Sequence, residues 1–142
     1  MKETAFANSL VQDYLLGKEI GVLSTINPDG SPLATPMWFV HDTDGFGMVS
    51  VAADRKVKNL QCDPRVSVVI ESGSGGSLEC VIVQGTAEFL ATPEARDSLG
   101  AKFIDKYGPD MEARWGGCSV PATRSLFRIH ATRVKLWGSL VT

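Results

Sequence analysis

The chain has 142 residues, with 14 lysines and arginines against 16 aspartates and glutamates and a formal net charge of -2. That balance argues against broad binding to nucleic acid or to an anionic membrane. A hydrophobic content of 44% and a charged content of 21% describe an ordinary globular chain, long enough to bury one core, so a single domain over residues 1–142 is expected and disorder is not. No apolar run approaches the ~20 residues needed to cross a bilayer, and the opening MKETAFANSLVQDY lacks the apolar core of a signal peptide. Cys62, Cys80 and Cys118 are odd in number and widely spaced, which argues against a disulfide framework. The expectation is a soluble, cytoplasmic protein.

Phe6, Leu10 and Tyr14 recur every four residues with Val11 and Leu15 beside them, predicting one amphipathic helix that ends near Gly17. From Ile20 the pattern turns to strands: GVLSTI, the turn Asn27-Pro28-Asp29-Gly30, then SPLATPMWFV. Pro32 and Pro36 cannot donate to a ladder, so this second strand belongs at an edge or carries a bulge. A third strand, Phe46 to Ala52, follows the turn Asp42-Thr43-Asp44-Gly45, and Val66 to Glu71 makes a fourth. SGSGGS reads as a flexible loop, since no Gly-Lys-Ser/Thr follows it. A long strand runs from Leu78 to Leu90 with Gly85 as a bulge or close-packing point.

Thr92-Pro93-Glu94 supplies an N-cap, a proline at the first helical position and an acid in the first turn. Ala95, Leu99 and Phe103 form the buried stripe of that helix, and Gly108-Pro109 ends it. Asp110 to Thr123 reads as an irregular span, either a functional loop or a cover for the core. The last strand alternates on Phe127, Ile129 and Ala131 and then out of phase on Val134 and Leu136, predicting a bend or bulge near Thr132-Arg133. About six strands with short turns and few helices indicate a closed or nearly closed antiparallel β-barrel.

The residues that suggest a ligand are Arg55, Lys56 and Lys58, three cations within four positions between a strand and a helix. With Asp54 as N-cap, the helix start offers free N–H groups, a dipole and cations to an anion such as a phosphate. The same residues also fit a solvated helix face balanced by Asp54 and Asp63. His41 and His130 have no Cys, Asp or Glu at metal-ligand spacing, Gly-x-Ser-x-Gly and Ser-x-x-Lys are missing, and Cys62 reads as a packing residue. Trp38, Trp115 and Trp137 read as core or interface residues.

The ordered series Asp29-Gly30-Ser31-Pro32, Pro36-Met37-Trp38-Phe39, Arg55-Lys56-Val57-Lys58-Asn59-Leu60 and Asp63-Pro64-Arg65-Val66, with VIVQGTAEFL and a terminal Val-Lys-Leu-Trp, resembles the pyridoxamine 5'-phosphate oxidase-like split-barrel family. Within it the chain is most similar to the flavin/deazaflavin-dependent oxidoreductases, from Ile20 to Gly138. The resemblance implies a six-stranded antiparallel split β-barrel with two or three peripheral helices, working as a homodimer with cofactor sites at the interface. It implies that Arg55, Lys56 and Lys58 contact the cofactor phosphate and that Asn59 fixes the short helix. Pro36, Met37, Trp38 and Phe39 would lie along the isoalloxazine-type ring, Ser50, Val51 and Ala52 would line the approach to the phosphate, and Trp137 would sit near the ring or the dimer seam. FMN is the implied cofactor, with coenzyme F-420 as the alternative; the longer tail of the latter would need a basic track that Lys102, Lys106, Arg114 and Arg124 could extend. True pyridoxamine-phosphate oxidases carry an Arg and a Lys on the second barrel strand, where this sequence reads Ala34 to Val40 without a cation, so vitamin B6 oxidation is not expected. The activity implied is hydride transfer between the flavin and a small organic substrate, with a flavin- or haem-binding storage or sensor module as the other reading.

Overall fold

The computed structural model describes residues 2–73 and 78–141, with side chains from Ala5 onward; the expected SGSGGS loop lies largely outside these residues. Seven antiparallel strands form one curled sheet in the order β2-β1-β5-β6-β7-β4-β3. They are β1 (Ile20–Ile26), β2 (Pro32–Trp38), β3 (Val40–His41), β4 (Gly45–Val51), β5 (Arg65–Glu71), β6 (Cys80–Phe89) and β7 (Arg124–Trp137). β2 stands at the edge that its prolines demand, where a residue without an N–H costs no ladder bond.

The expected second strand is in fact two. It breaks at Phe39, after which Val40 and His41 pair with Gly47 and Phe46 of β4 at the opposite edge of the sheet. Chain continuity through Phe39 therefore joins the two edges and turns the sheet into a split barrel. That extra strand, β3, raises the count from six to seven. The second difference is helical. Five α-helices, α1 (Lys2–Ala7), α2 (Ser9–Leu16), α3 (Arg55–Cys62), α4 (Pro93–Tyr107) and α5 (Pro109–Trp115), stand where two or three were expected. The opening helix divides because the Asn8 side chain accepts from the Leu10 N–H at 2.8 Å, starting a fresh helix. The division leaves Leu10 47% exposed instead of on the buried stripe, while Phe6, Val11 and Leu15 remain fully buried. The span after Gly108 is irregular only from Gly116 to Thr123, because Pro109 opens α5, with Asp110 and Glu112 in its first turn. No described helix is long and apolar enough to cross a membrane.

The expected irregularity of β6 and β7 takes a definite form. Gln84 faces Arg133 and Gly85 faces Ala131, so Thr132 is the extra residue on β7. A Cβ at Gly85 would lie 2.0 Å from the His130 carbonyl oxygen, so glycine is required by the close approach of the two backbones. The core has two parts. Inside the barrel, Phe39, Phe46, Phe127 and Ile129 pack with Phe6 of α1, and Phe46 meets Phe6 and Phe39 edge to face at 5.3 and 5.5 Å. Outside it, Leu99 and Phe103 of α4 and Met111 of α5 cover Val40 and Leu126.

Where Phe39 leaves the ladder, its polar groups are taken by the end of α4. The Phe39 N–H donates to Tyr107 Oη at 2.9 Å, and Lys106 Nζ donates to the Phe39 carbonyl at 2.9 Å. Tyr107 Oη also lies 2.7 Å from the Glu19 carbonyl and 2.9 Å from that of Phe39. Burial pushes the Lys106 ammonium down to about 8 and the Tyr107 phenol up to about 12. On the other side of the barrel, the buried Asn59 of α3 donates to Thr25 Oγ1 at 3.0 Å and to Asn27 Oδ1 at 2.9 Å, tying the helix to β1 and its turn.

Replacing Tyr107 with Phe leaves the Phe39 N–H without its acceptor, and urea titration should show a loss of about 1–3 kcal/mol at unchanged m-value. Asn59→Ala should cost a similar ~1–3 kcal/mol in the same assay, by releasing α3 from β1. Because folding depresses the Lys106 pKa, the unfolded chain binds the extra proton above about 8. The stability of the native protein relative to Lys106→Met should accordingly rise between pH 7.5 and 9.5, read from paired denaturation curves as roughly a kcal/mol or more.

Candidate functional site

Two strands run beside each other at the split without pairing. Among the described residues, β2 pairs with β1 alone, and β4 pairs with β3 only at Phe46 and Gly47, so Met48 to Val51 have no ladder on that side. A cavity of about 360 Å³ opens here, with Pro36, Met37 and Trp38 on one side and Val49, Ser50 and Val51 on the other. Strands with a free edge present N–H and C=O groups in a row, which suits a flat heterocycle with donors and acceptors on its rim.

The charged end of the cavity is built by α3 and β7. Lys56, whose side chain is 14% exposed, pairs with Asp54 at 3.0 Å, and Ser50 Oγ donates to the same carboxylate oxygen at 3.3 Å. The Lys56 contact, supported by Ser50 and the nearby Arg124, holds the Asp54 carboxyl below its usual range. Asp54 therefore does not cap α3 through its side chain, as expected, but holds Lys56 in place. With Arg124 also lining the cavity, two cations face one carboxylate at this end. The surplus suits an anion, and a hydrogen bond to a charged group contributes roughly 1.5–3 kcal/mol.

Six of the twelve residues proposed from the resemblance meet here: Pro36, Met37, Trp38, Ser50, Val51 and Lys56. The other six stand elsewhere in the chain. Phe39 is fully buried at the seam, Ala52 is exposed in the turn after β4, and Trp137 is 42% exposed at the end of β7, opposite Cys80. Arg55 is exposed, while Lys58 and Asn59 border a separate groove with Asn27 and Asp63. The helix itself explains this divergence. At about 100° per residue, Lys56 and Lys58 point to nearly opposite sides, so cations adjacent in sequence do not form one cluster.

Sequence reasoning missed α5 as a wall of the site, which brings Met111, Arg114 and Trp115 to the cavity. The proline and acid after Gly108 were the available signal. Of the four cations offered for an extended basic track, Arg114 and Arg124 line the cavity, and Arg124 reaches it because β7 pairs with β4 at Val51.

The family model described as pyridoxamine 5'-phosphate oxidase matches residues 8–138. Among solved structures, a conserved hypothetical protein of Mycobacterium tuberculosis is 31% identical with a TM-score of 0.77, covering 92% of this chain and 83% of the other. HutZ, the heme storage protein of Vibrio cholerae, has a TM-score of 0.79 at 16% identity, covering 93% and 95% of the two chains. An FAD-binding protein from Mesorhizobium loti has a TM-score of 0.71 at 21% identity, covering 91% and 93%. The last two share the fold at identities too low to transfer more than that. The match over residues 8–138 carries the assignment: this chain belongs to the pyridoxamine 5'-phosphate oxidase family of split barrels.

Proposed function

We propose that this protein binds FMN in the cleft between β2 and β4 and acts as a homodimeric oxidoreductase on a small organic substrate. The observation that carries the reading is the pairing of two unladdered strand edges with a cationic end in one cavity. Lys56 and Arg124 would receive the phosphate, with the Ser50 hydroxyl beside them, and the edge of Pro36 to Trp38 would receive the rim of the ring. The flavin, when bound, supplies the hydride chemistry, and the chain binds it, orients it and limits water around it. Met37, Phe103 and Met111 make the apolar part of the lining that does the last. No cation of β2 reaches the cleft, which supports a substrate other than vitamin B6 phosphate.

Two observations bear on the alternatives. Lys102 and Lys106 line a groove with His41 and Leu16, and only Lys106 also borders a groove that shares Trp38 with the cleft, which supports a single phosphate over the longer tail of coenzyme F-420. A haem module would need an axial ligand. Among the described residues His130 is 2.7 Å from Glu88, and His41 borders that other groove, so neither lines the cleft. For the homodimer, the outward residues Ile20, Val22 and Pro36 are exposed and lie side by side across β1 and β2. Ile20 and Pro36 also rim the cleft, so a second copy covering this face would border the cofactor.

Titration of the purified protein with FMN, coenzyme F-420 and haem, followed by absorbance, tests the proposal. FMN binding is expected, with Lys56→Ala and Arg124→Ala each weakening it by roughly tenfold or more, and Lys58→Ala weakening it less. A protein that binds none of the three, or whose FMN affinity ignores Lys56 and Arg124, would overturn it.

A further inference from the structure

The wall of the cleft built by α5 has a cation that the phosphate end does not use. Arg114 stands over Trp38 of β2, whereas Lys56 is paired to Asp54 beside Ser50 of β4, so the two cations are held by different strands of the cleft. The Arg114 guanidinium carbon lies 4.7 Å from the centre of the Trp38 ring, and the Trp38 ring is itself stacked on Tyr107 at 4.5 Å and 8°. A guanidinium held over an indole by the ring face still has N–H donors to offer, in the fork that matches a carboxylate. Among the described residues no carboxylate pairs with Arg114. Around it the lining is apolar, from Phe103, Met111 and Trp115.

Resting on the flavin reading above, we propose that Arg114 is a specificity-determining residue and that the substrate is a carboxylate carried on an apolar body. The contact with Trp38, itself backed by Tyr107, restrains the guanidinium, which lowers the entropic cost of fixing a long side chain on a ligand. The carboxylate docks on that fork at the α5 end, its apolar body lies against Phe103, Met111 and Trp115, and the phosphate end of the cleft stays with the cofactor. The same chemistry could be met by the oligoglutamate tail of a deazaflavin cofactor, and the test separates the two sources.

Calorimetric titration with benzoate, and with benzamide as its neutral counterpart, reads this end of the cleft without turnover. Arg114 is exposed, so Arg114→Gln and Arg114→Lys should melt with the native protein. Benzoate binding that Arg114→Gln weakens by roughly tenfold or more and Arg114→Lys restores only in part supports the proposal, provided benzamide is insensitive to both changes and FMN affinity is unchanged. Equal benzoate affinity in the native protein and Arg114→Gln, or no benzoate binding at all, overturns it. So does a loss of FMN affinity in Arg114→Gln, or a loss confined to the tailed deazaflavin coenzyme when its tail-free core still binds, since either result gives Arg114 to the cofactor. Failure of FMN to bind the native protein would sink the flavin reading separately, because FMN and benzoate are titrated independently.

Discussion

The exit of Phe39 from the sheet is the constraint on which the rest of this molecule depends. A single residue between β2 and β3 carries the chain from one edge of the sheet to the other, and its backbone groups cannot stay in either ladder. Buried peptide groups need partners, and here Tyr107 and Lys106 provide them from the end of α4. The barrel is thus closed by side chains from a helix instead of by a strand. The same contacts set the helix against the barrel, stack Tyr107 on Trp38 and bring α5 round to the split. Closure and site share one origin: β2 and β4 stay unpaired beyond Phe39, and that unpaired stretch is the cleft.

The electrostatics of the cleft follow from this geometry. Lys56 is held by one carboxylate, which the Ser50 hydroxyl steadies, so its ammonium is fixed at little entropic cost. The half-buried Lys106 meets the opposite fate, with a carbonyl and the Phe39 ring 3.7 Å away for company and no carboxylate paired to it among the described residues. Its depressed pKa records the price of putting a cation at the seam. Lys56, in the first turn of α3, lines the cleft, whereas Lys106, in the last turn of α4, serves the seam.

Much of the frame was legible because its causes are local. Pro32 and Pro36 announce an edge strand, Thr92 with Pro93 announces a helix start, and the phase change after Ala131 announces the bulge at Thr132. The break at Phe39 had no such mark, since the tyrosine that makes it tolerable lies 68 positions away. The division of the first helix was hidden for another reason: its apolar spacing continues past Asn8, and only a side-chain cap interrupts it. The candidate site was half legible. Strand residues meet in the cleft because a strand's neighbours share its path, whereas the rotation of α3 turns Arg55 and Lys58 away from it. Arg114 and Arg124 depend on pairing and packing that sequence periodicity does not encode.

The extra residue at Thr132 has an effect beyond curvature. Before it, Phe127, Ile129 and Ala131 face the core; after it, Val134 and Leu136 do, and Lys135 and Trp137 point away. Thr132 works as a parity element for the long last strand. Its hydroxyl donates to the Gln84 carbonyl at 3.0 Å, so the inserted position is fastened to the neighbouring strand and does not float. Removing that one residue would leave Ala131, Val134 and Leu136 facing the core in simple alternation, whereas pairing it into the ladder without a bulge would send Trp137 inward and Leu136 outward. The last strand of this family member therefore tolerates the loss of its extra residue better than the loss of its bulge.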